Sequence, residues 1–122
     1  MDLPRMFGYA GCGTCRMARA WLQGQGIEFN EIPIRDTPPS AVELGRLLAA
    51  NGGNRRAILN TSGGDYRVPG MKEELAGMGE AEFLQRLSEQ GNLIKRPVLL
   101  RGAVALAGFN PLQWKQALGL TG

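Results

Sequence analysis

Two cysteines separated by two residues, in the stretch Gly11-Cys12-Gly13-Thr14-Cys15-Arg16, stand where the chain changes its period. Before them, Leu3 to Tyr9 is short, apolar-rich and closed by small residues, the pattern of a strand in which Pro4 is tolerable only at the beginning or edge. After them, Met17, Ala18, Trp21 and Leu22 recur at the spacing of one helical face, while Arg16, Arg19 and Gln23 take the other side. Gly24 and Gly26 end that helix, and Ile27 to Ile34 returns to an extended pattern. Residues 3 to 34 therefore spell strand, helix, strand, a βαβ unit with the cysteine pair at its first strand-to-helix junction.

Chemistry follows from that position. The first turn of a helix holds N–H groups without partners and the positive end of the macrodipole, and both favour a thiolate. Cys12 is the predicted nucleophile, since the thiolate is the reactive form and such sites lower the ordinary thiol pKa of about 8.5. Cys15, one turn further in, is the natural resolving thiol. Gly13 and Thr14 let the chain turn into the helix, and Arg16 adds positive charge beside the sulfur.

Two other readings of the pair are small buried hydrophobes and half of a zinc site. A CxxC supplies two of the usual four zinc ligands, and the chain has no histidine to finish the set, so no metal is expected. The missing imidazole also removes Ser/His/Asp hydrolases and Cys/His nucleophile pairs. As a structural staple the pair is weak, because the loop it closes is very short. The βαβ context favours redox chemistry.

The rest of the chain alternates helix signals with turns. Asp36-Thr37-Pro38-Pro39-Ser40 is a helix entrance, with Ser40 as N-cap, Glu43 completing a capping box, and Leu44, Leu47 and Leu48 as the buried face. Asn51 to Asn54 ends that helix, and residues 55 to 78 break into short pieces around Ser62-Gly63-Gly64 and Pro69-Gly70. Glu80 to Glu89 reads as a helix with Phe83, Leu84 and Leu87 inside and Glu82–Arg86 as an exposed ion pair. Lys95 to Leu100, a turn at Arg101-Gly102, and Val104 to Leu106 predict a hairpin, and Asn110-Pro111 opens a last helix through Trp114 and Leu118. The order is βαβ, a helical insert at about residues 36–92, then ββα: an α/β chain with a mixed sheet.

A length of 122 residues suits one domain, and residues 1–122 are read as a single unit. No apolar run approaches the roughly 20 residues of a membrane span, and Met1-Asp2-Leu3-Pro4-Arg5 lacks the layout of a signal peptide, so a soluble cytoplasmic protein with no membrane contact is expected. For the same reason the glycosylation acceptor at Asn60-Thr61-Ser62 is discounted. The formal charge of +3 is scattered without a dense basic block, a weak basis for direct nucleic-acid binding. Arg55, Arg56 and Arg67 read as a solvated face, with a contact surface as the alternative.

The motif at 11–16, Ala18-Arg19-Ala20-Trp21-Leu22, Arg35-Asp36 with Pro38-Pro39-Ser40, Asn60-Thr61-Ser62-Gly63 with Tyr66-Arg67, Leu93-Ile94-Lys95-Arg96-Pro97, and Gly108-Phe109 together resemble the arsenate reductase (ArsC)/Spx/YffB family. That resemblance implies a thioredoxin-like fold with a helical insert. It also makes Pro97 the candidate for a cis proline facing the CxxC, with Arg96 pointing toward Cys12. Glutaredoxin-linked arsenate reductases bind arsenate through the cysteine of a Cys-x-Thr/Ser-Ser-Arg loop, which Cys12, Gly13, Thr14 and Arg16 match. Their oxyanion is held by three arginines, of which Arg96 alone has a counterpart here. Asn60 stands in the region of another, and Ala107-Gly108-Phe109 at the place of the third. Weak arsenate binding follows, because a multiply charged oxyanion without paired cations is costly to desolvate. Cys15 stands where those reductases carry serine and resembles the redox switch of Spx-type regulators, which bind the RNA polymerase α subunit. YffB-type cousins imply a glutathione-dependent thiol reductase. The resemblance thus implies a monomeric enzyme with no bound cofactor that draws electrons from glutathione or a glutaredoxin, or a regulator that docks on RNA polymerase.

Overall fold

The sheet expected from the βαβ and ββα halves forms, and its strands run in the order β2-β1-β3-β4. The structure, a computed structural model, describes residues 3–120; Met1, Asp2, Thr121 and Gly122 lie outside the described residues. The chain divides into two compact units, one made of the described parts of residues 1–33 and 96–122, the other of Ile34–Lys95. Among the described residues no helix is long and apolar enough to cross a membrane.

In the first unit, β1 (Arg5–Gly8) pairs in parallel with β2 (Asn30–Pro33) and antiparallel with β3 (Val98–Arg101), which pairs antiparallel with β4 (Val104–Ala107). Pro4 sits just before β1, its carbonyl accepting the Asn30 N–H at 2.9 Å, so the central strand has no proline to interrupt its ladder. Helix α1 (Gly13–Gly24) buries Cys15, Ala18 and Leu22, spaced i, i+3, i+7. Met17, expected on this face, is 64% exposed. The buried stripe is rotated toward Cys15 because Gly8 makes room for that sulfur: a Cβ at Gly8 would lie 3.2 Å from Cys15 Sγ. Helix α6 (Pro111–Ala117) opens as its Asn110-Pro111 signal predicts and places Trp114 in the core with Met6, Ala18, Leu22 and Leu99. Full burial of Met6 or Leu22 contributes about 2 kcal/mol each. Trp21, Phe109 and Trp114 meet edge to face at 4.9–6.3 Å between centroids, and the Trp114 indole donates to the Gly108 carbonyl at 3.0 Å.

Strand β2 is shorter than the Ile27–Ile34 run predicts. Gly26, at φ +71°, lets the chain fold back so that its N–H reaches the Gln23 carbonyl and the Ile27 N–H reaches the Leu22 carbonyl, each at 3.0 Å. This Schellman closure spends Ile27 on helix α1, and sheet pairing begins only at Asn30. The β3–β4 turn is at Gly102-Ala103, one residue later than expected.

In the second unit, α2 (Ala41–Ala50) carries the capping box as read: Ser40 Oγ accepts the Glu43 N–H at 3.1 Å, and Glu43 Oε1 accepts the Ser40 N–H at 3.0 Å. Its Leu44, Leu47 and Leu48 are buried, and it packs against α5 (Glu80–Glu89), whose Phe83, Leu84 and Leu87 are buried too. Between them run a 3-10 turn (Arg55–Ile58), α3 (Gly64–Arg67) and α4 (Met71–Ala76). Arg86 pairs with Glu74 on α4 instead of with Glu82, and the i, i+4 contact on α5 is Gln85 to Glu89, at 3.1 Å. Lys95, read as the start of β3, pairs here instead: its N–H donates to the Ile58 carbonyl at 2.9 Å, next to the bridge between Ile94 and Leu59.

Candidate active site

Cys12 is the N-cap of α1. Its extended backbone ends β1's exit loop, with its N–H donating to the Tyr9 carbonyl at 3.0 Å, and its carbonyl accepts the Arg16 N–H at 3.1 Å. The Cys12 sulfur therefore faces the helix's first N–H groups and accepts the Cys15 N–H at 3.3 Å. A sulfur here does what a serine or aspartate oxygen does at other N-caps, and the position favours negative charge.

The two thiols are polarised in opposite senses. Burial alone would raise Cys12, but the Cys15 thiol and backbone N–H, the charge of Arg96 and the backbone of Thr14 outweigh it, so its pKa falls below the ordinary value. Cys15 is fully buried, and its pKa is pushed up to about 12. Burial is the main cause; hydrogen bonding to Cys12 and its negative charge add to the rise, while a backbone bond from Tyr9 and the charge of Arg96 oppose it. Both cysteines are free thiols, with Cys12 half-buried. The site thus favours the thiolate at Cys12 and the protonated thiol at Cys15 beside it.

The positive charge that acts on both cysteines is that of Arg96, and the Arg96–Pro97 bond is cis. Pro97 is buried at the head of β3, and its carbonyl accepts the Gly108 N–H at 2.8 Å. Gly13, Thr14 and Arg16 lie exposed on the first turn of α1. The charge acting on Cys12 is that of Arg96; Arg16, given that role from sequence, is not among the groups that shift the Cys12 pKa. Asn60 belongs to the second unit, where its N–H donates to the Leu93 carbonyl at 2.9 Å and its carbonyl accepts the Gly63 N–H at 3.1 Å. Its side chain lies against Gly63, where a Cβ would come 2.5 Å from Nδ2.

Sequence reasoning missed Tyr9. Its ring carries the Arg96 guanidinium 5.3 Å above its centroid and rests on Gly11, where a Cβ would come 2.7 Å from the ring. The tyrosine is thus sandwiched between the loop that presents Cys12 and the arginine that charges it. Only the Gly8-Tyr9-Ala10-Gly11 spacing hints at this in the sequence, because Arg96 is remote along the chain. Among the described residues no cluster of three or more metal-binding side chains forms.

Known proteins resemble this chain along most of its length. Protein YusI of Bacillus subtilis, itself uncharacterized, is 42% identical over 90% of this chain and 93% of its own length. The global transcriptional regulator Spx of Streptococcus mutans is 26% identical over 86% of this chain and 75% of Spx. The crystal structure of a possible arsenate reductase from Streptococcus mutans superposes with a TM-score of 0.81, at 31% identity, over 90% of this chain and 93% of that one. The fold is thus the thioredoxin-like one that the sequence resemblance implies. The match to the ArsC family runs over residues 7–117, through the cysteine loop, Arg96 and Pro97, and the chain belongs to that family.

Proposed function

We infer that this protein is an arsenate-reductase-like thiol/disulfide oxidoreductase in which Cys12 attacks and Cys15 resolves. The observation that carries this reading is the pair's geometry: Cys12 caps α1, and its sulfur accepts the N–H of the buried Cys15 at 3.3 Å, which favours charge on the first thiol and a proton on the second. The Cys12 thiolate attacks a substrate disulfide, forming a mixed disulfide and releasing one thiolate. Cys15 then gives up its proton and attacks the Cys12 sulfur, which releases the second thiolate and leaves a Cys12–Cys15 disulfide. The substrate gains two electrons and the protein loses two. Two glutathione molecules, directly or through a glutaredoxin, return them and leave as glutathione disulfide.

The chemistry is ordered by the site itself. While Cys12 is a thiolate, its hydrogen bond and charge help to hold Cys15 protonated. Once Cys12 is consumed in the mixed disulfide those two effects vanish, and Cys15 becomes easier to ionise when it is needed. Arg96 favours an anionic or glutathione-bearing substrate beside Cys12. Gly13, Thr14 and Arg16, exposed on the first turn of α1, and Pro97 complete the binding loop.

A second reading has its own support. The CxxC and the similarity to Spx favour a cytoplasmic redox-switched regulator that docks on the RNA polymerase α subunit and turns nothing over. NADPH consumption with glutathione, glutaredoxin, glutathione reductase and either a small disulfide or arsenate separates the two. Turnover that requires Cys12 and Cys15 on the disulfide is the expected result. No turnover on either substrate, with a reversible Cys12–Cys15 disulfide and capture of purified α subunit in one redox state, would establish the regulator instead.

A further inference from the structure

The second unit holds a pocket of about 390 Å³ that thiol chemistry does not use. Its apolar wall is Leu59, Leu75 and Phe83, all buried, with Ala76 beside them. Its charged wall is Arg55, Arg56 and Lys72, and no carboxylate lines it. Two arginines outside the pocket have carboxylate partners: Arg19 pairs with Glu31, and Arg86 with Glu74. Arg56 and Lys72 make no ion pair among the described residues.

Arg55 is held in place before any ligand arrives. Its Nη1 donates to the carbonyls of Met78 at 2.7 Å and Leu75 at 3.4 Å, and its guanidinium lies 4.7 Å from the Phe83 ring centroid. Nη2 and Nε carry no protein partner among the described residues. A guanidinium fixed in this way binds an anion without first losing side-chain freedom.

We propose that this pocket binds a small amphipathic carboxylate, its ring or short acyl body against Leu59, Leu75 and Phe83 and its anionic head toward Arg55, Arg56 and Lys72. The volume lies at the small end of ligand sites, enough for one compact body. The three cations call for an anionic head, and the apolar wall for a hydrophobic body. Tyr66 gives the pocket a single neutral hydroxyl, which suits a ligand with few polar groups besides its head. The sequence reads Arg55 and Arg56 as part of a solvated face, with a contact surface as the alternative.

The test uses the full chain and two probes of the same shape, 2-naphthoate and the neutral 2-naphthalenemethanol, titrated with observation of backbone amide shifts. Naphthoate is expected to shift the amides of Leu59, Tyr66, Lys72 and Ala76 and to bind about tenfold more tightly than the alcohol. The double variant Arg56→Gln, Lys72→Gln should bring the two affinities together by weakening only naphthoate. Ala76→Trp, which fills the pocket from an exposed position, should abolish both. Equal affinity for the two probes, retained binding in Ala76→Trp, or no shift at these amides up to about 5 mM naphthoate would overturn the proposal. So would shifts produced there by an acidic peptide but not by naphthoate, which would assign the pocket to a protein partner. Cys12 alkylation is followed in parallel, so a misfolded variant is recognised and the outcome stays separate from the oxidoreductase reading.

Discussion

Helices α1 and α2 begin with the same spacing and opposite purposes. In α2 the N-cap is Ser40 and the third helical residue is Glu43; in α1 the corresponding positions hold Cys12 and Cys15. The hydrogen bond from the third residue's N–H to the cap side chain is made in both, at 3.1 Å to oxygen in one and 3.3 Å to sulfur in the other. Only α2 has an acidic residue in its first turn to answer the helix dipole. A carboxylate there stabilises the helix; leaving it out keeps the positive end available to the Cys12 thiolate. The CxxC is thus a capping box with its carboxylate replaced by a buried thiol, giving up helix stability for nucleophilicity.

The largest test of this contrast is Cys12→Ser. Serine is a good N-cap, so thermal stability should hold or rise slightly, while disulfide turnover falls on the order of a thousandfold or more. Turnover that survives would place the nucleophile elsewhere. Arg96→Gln comes next, because its charge acts on the sulfur from outside the helix. Wild-type alkylation by iodoacetamide should rise through a midpoint below that of an ordinary thiol, since the folded site favours the thiolate. The variant's midpoint should move upward and its rate near neutral pH fall on the order of tenfold. An unmoved midpoint would assign the thiolate to the helix and Cys15 alone. Ser40→Ala probes the other helix: the expected loss is about 1 kcal/mol in denaturant unfolding, with Cys12 alkylation unchanged. A change in that alkylation rate would mean that the two helix starts are coupled.

These local devices were legible in the sequence because each is written within a few residues. Ser40 and Glu43, Asn110-Pro111, and the cysteines at a change of period all sit beside the structure they dictate. Contacts made at long range were not legible. Met17 turned outward because Gly8, on the neighbouring strand, admits the Cys15 sulfur, and periodicity weighs only residues on the helix itself. Arg86 had a carboxylate four residues away in Glu82 and took Glu74 from another helix. Lys95 looked like the start of a strand and was claimed by Ile58. Tyr9 and Arg96 are the functional case, for their stacking follows from the fold and from nothing in either residue's neighbourhood.

The smallest effect is also the most direct on the contrast between the helices. Thr14→Asp puts a carboxylate into the first turn of α1, at an exposed position, and so gives α1 what α2 already has. Unfolding free energy should rise by about 0.5 kcal/mol at neutral pH, and the gain should disappear near pH 3, where the new carboxyl is protonated. Cys12 alkylation should slow severalfold, because the new charge competes with the thiolate for the same N–H groups and dipole. Both changes together mean that one electrostatic resource serves either stability or reactivity. A stability gain with no loss of reactivity would mean that the hydrogen bonds from Cys15 and the charge of Arg96 suffice for the thiolate. The missing acid at the start of α1 would then owe nothing to its chemistry.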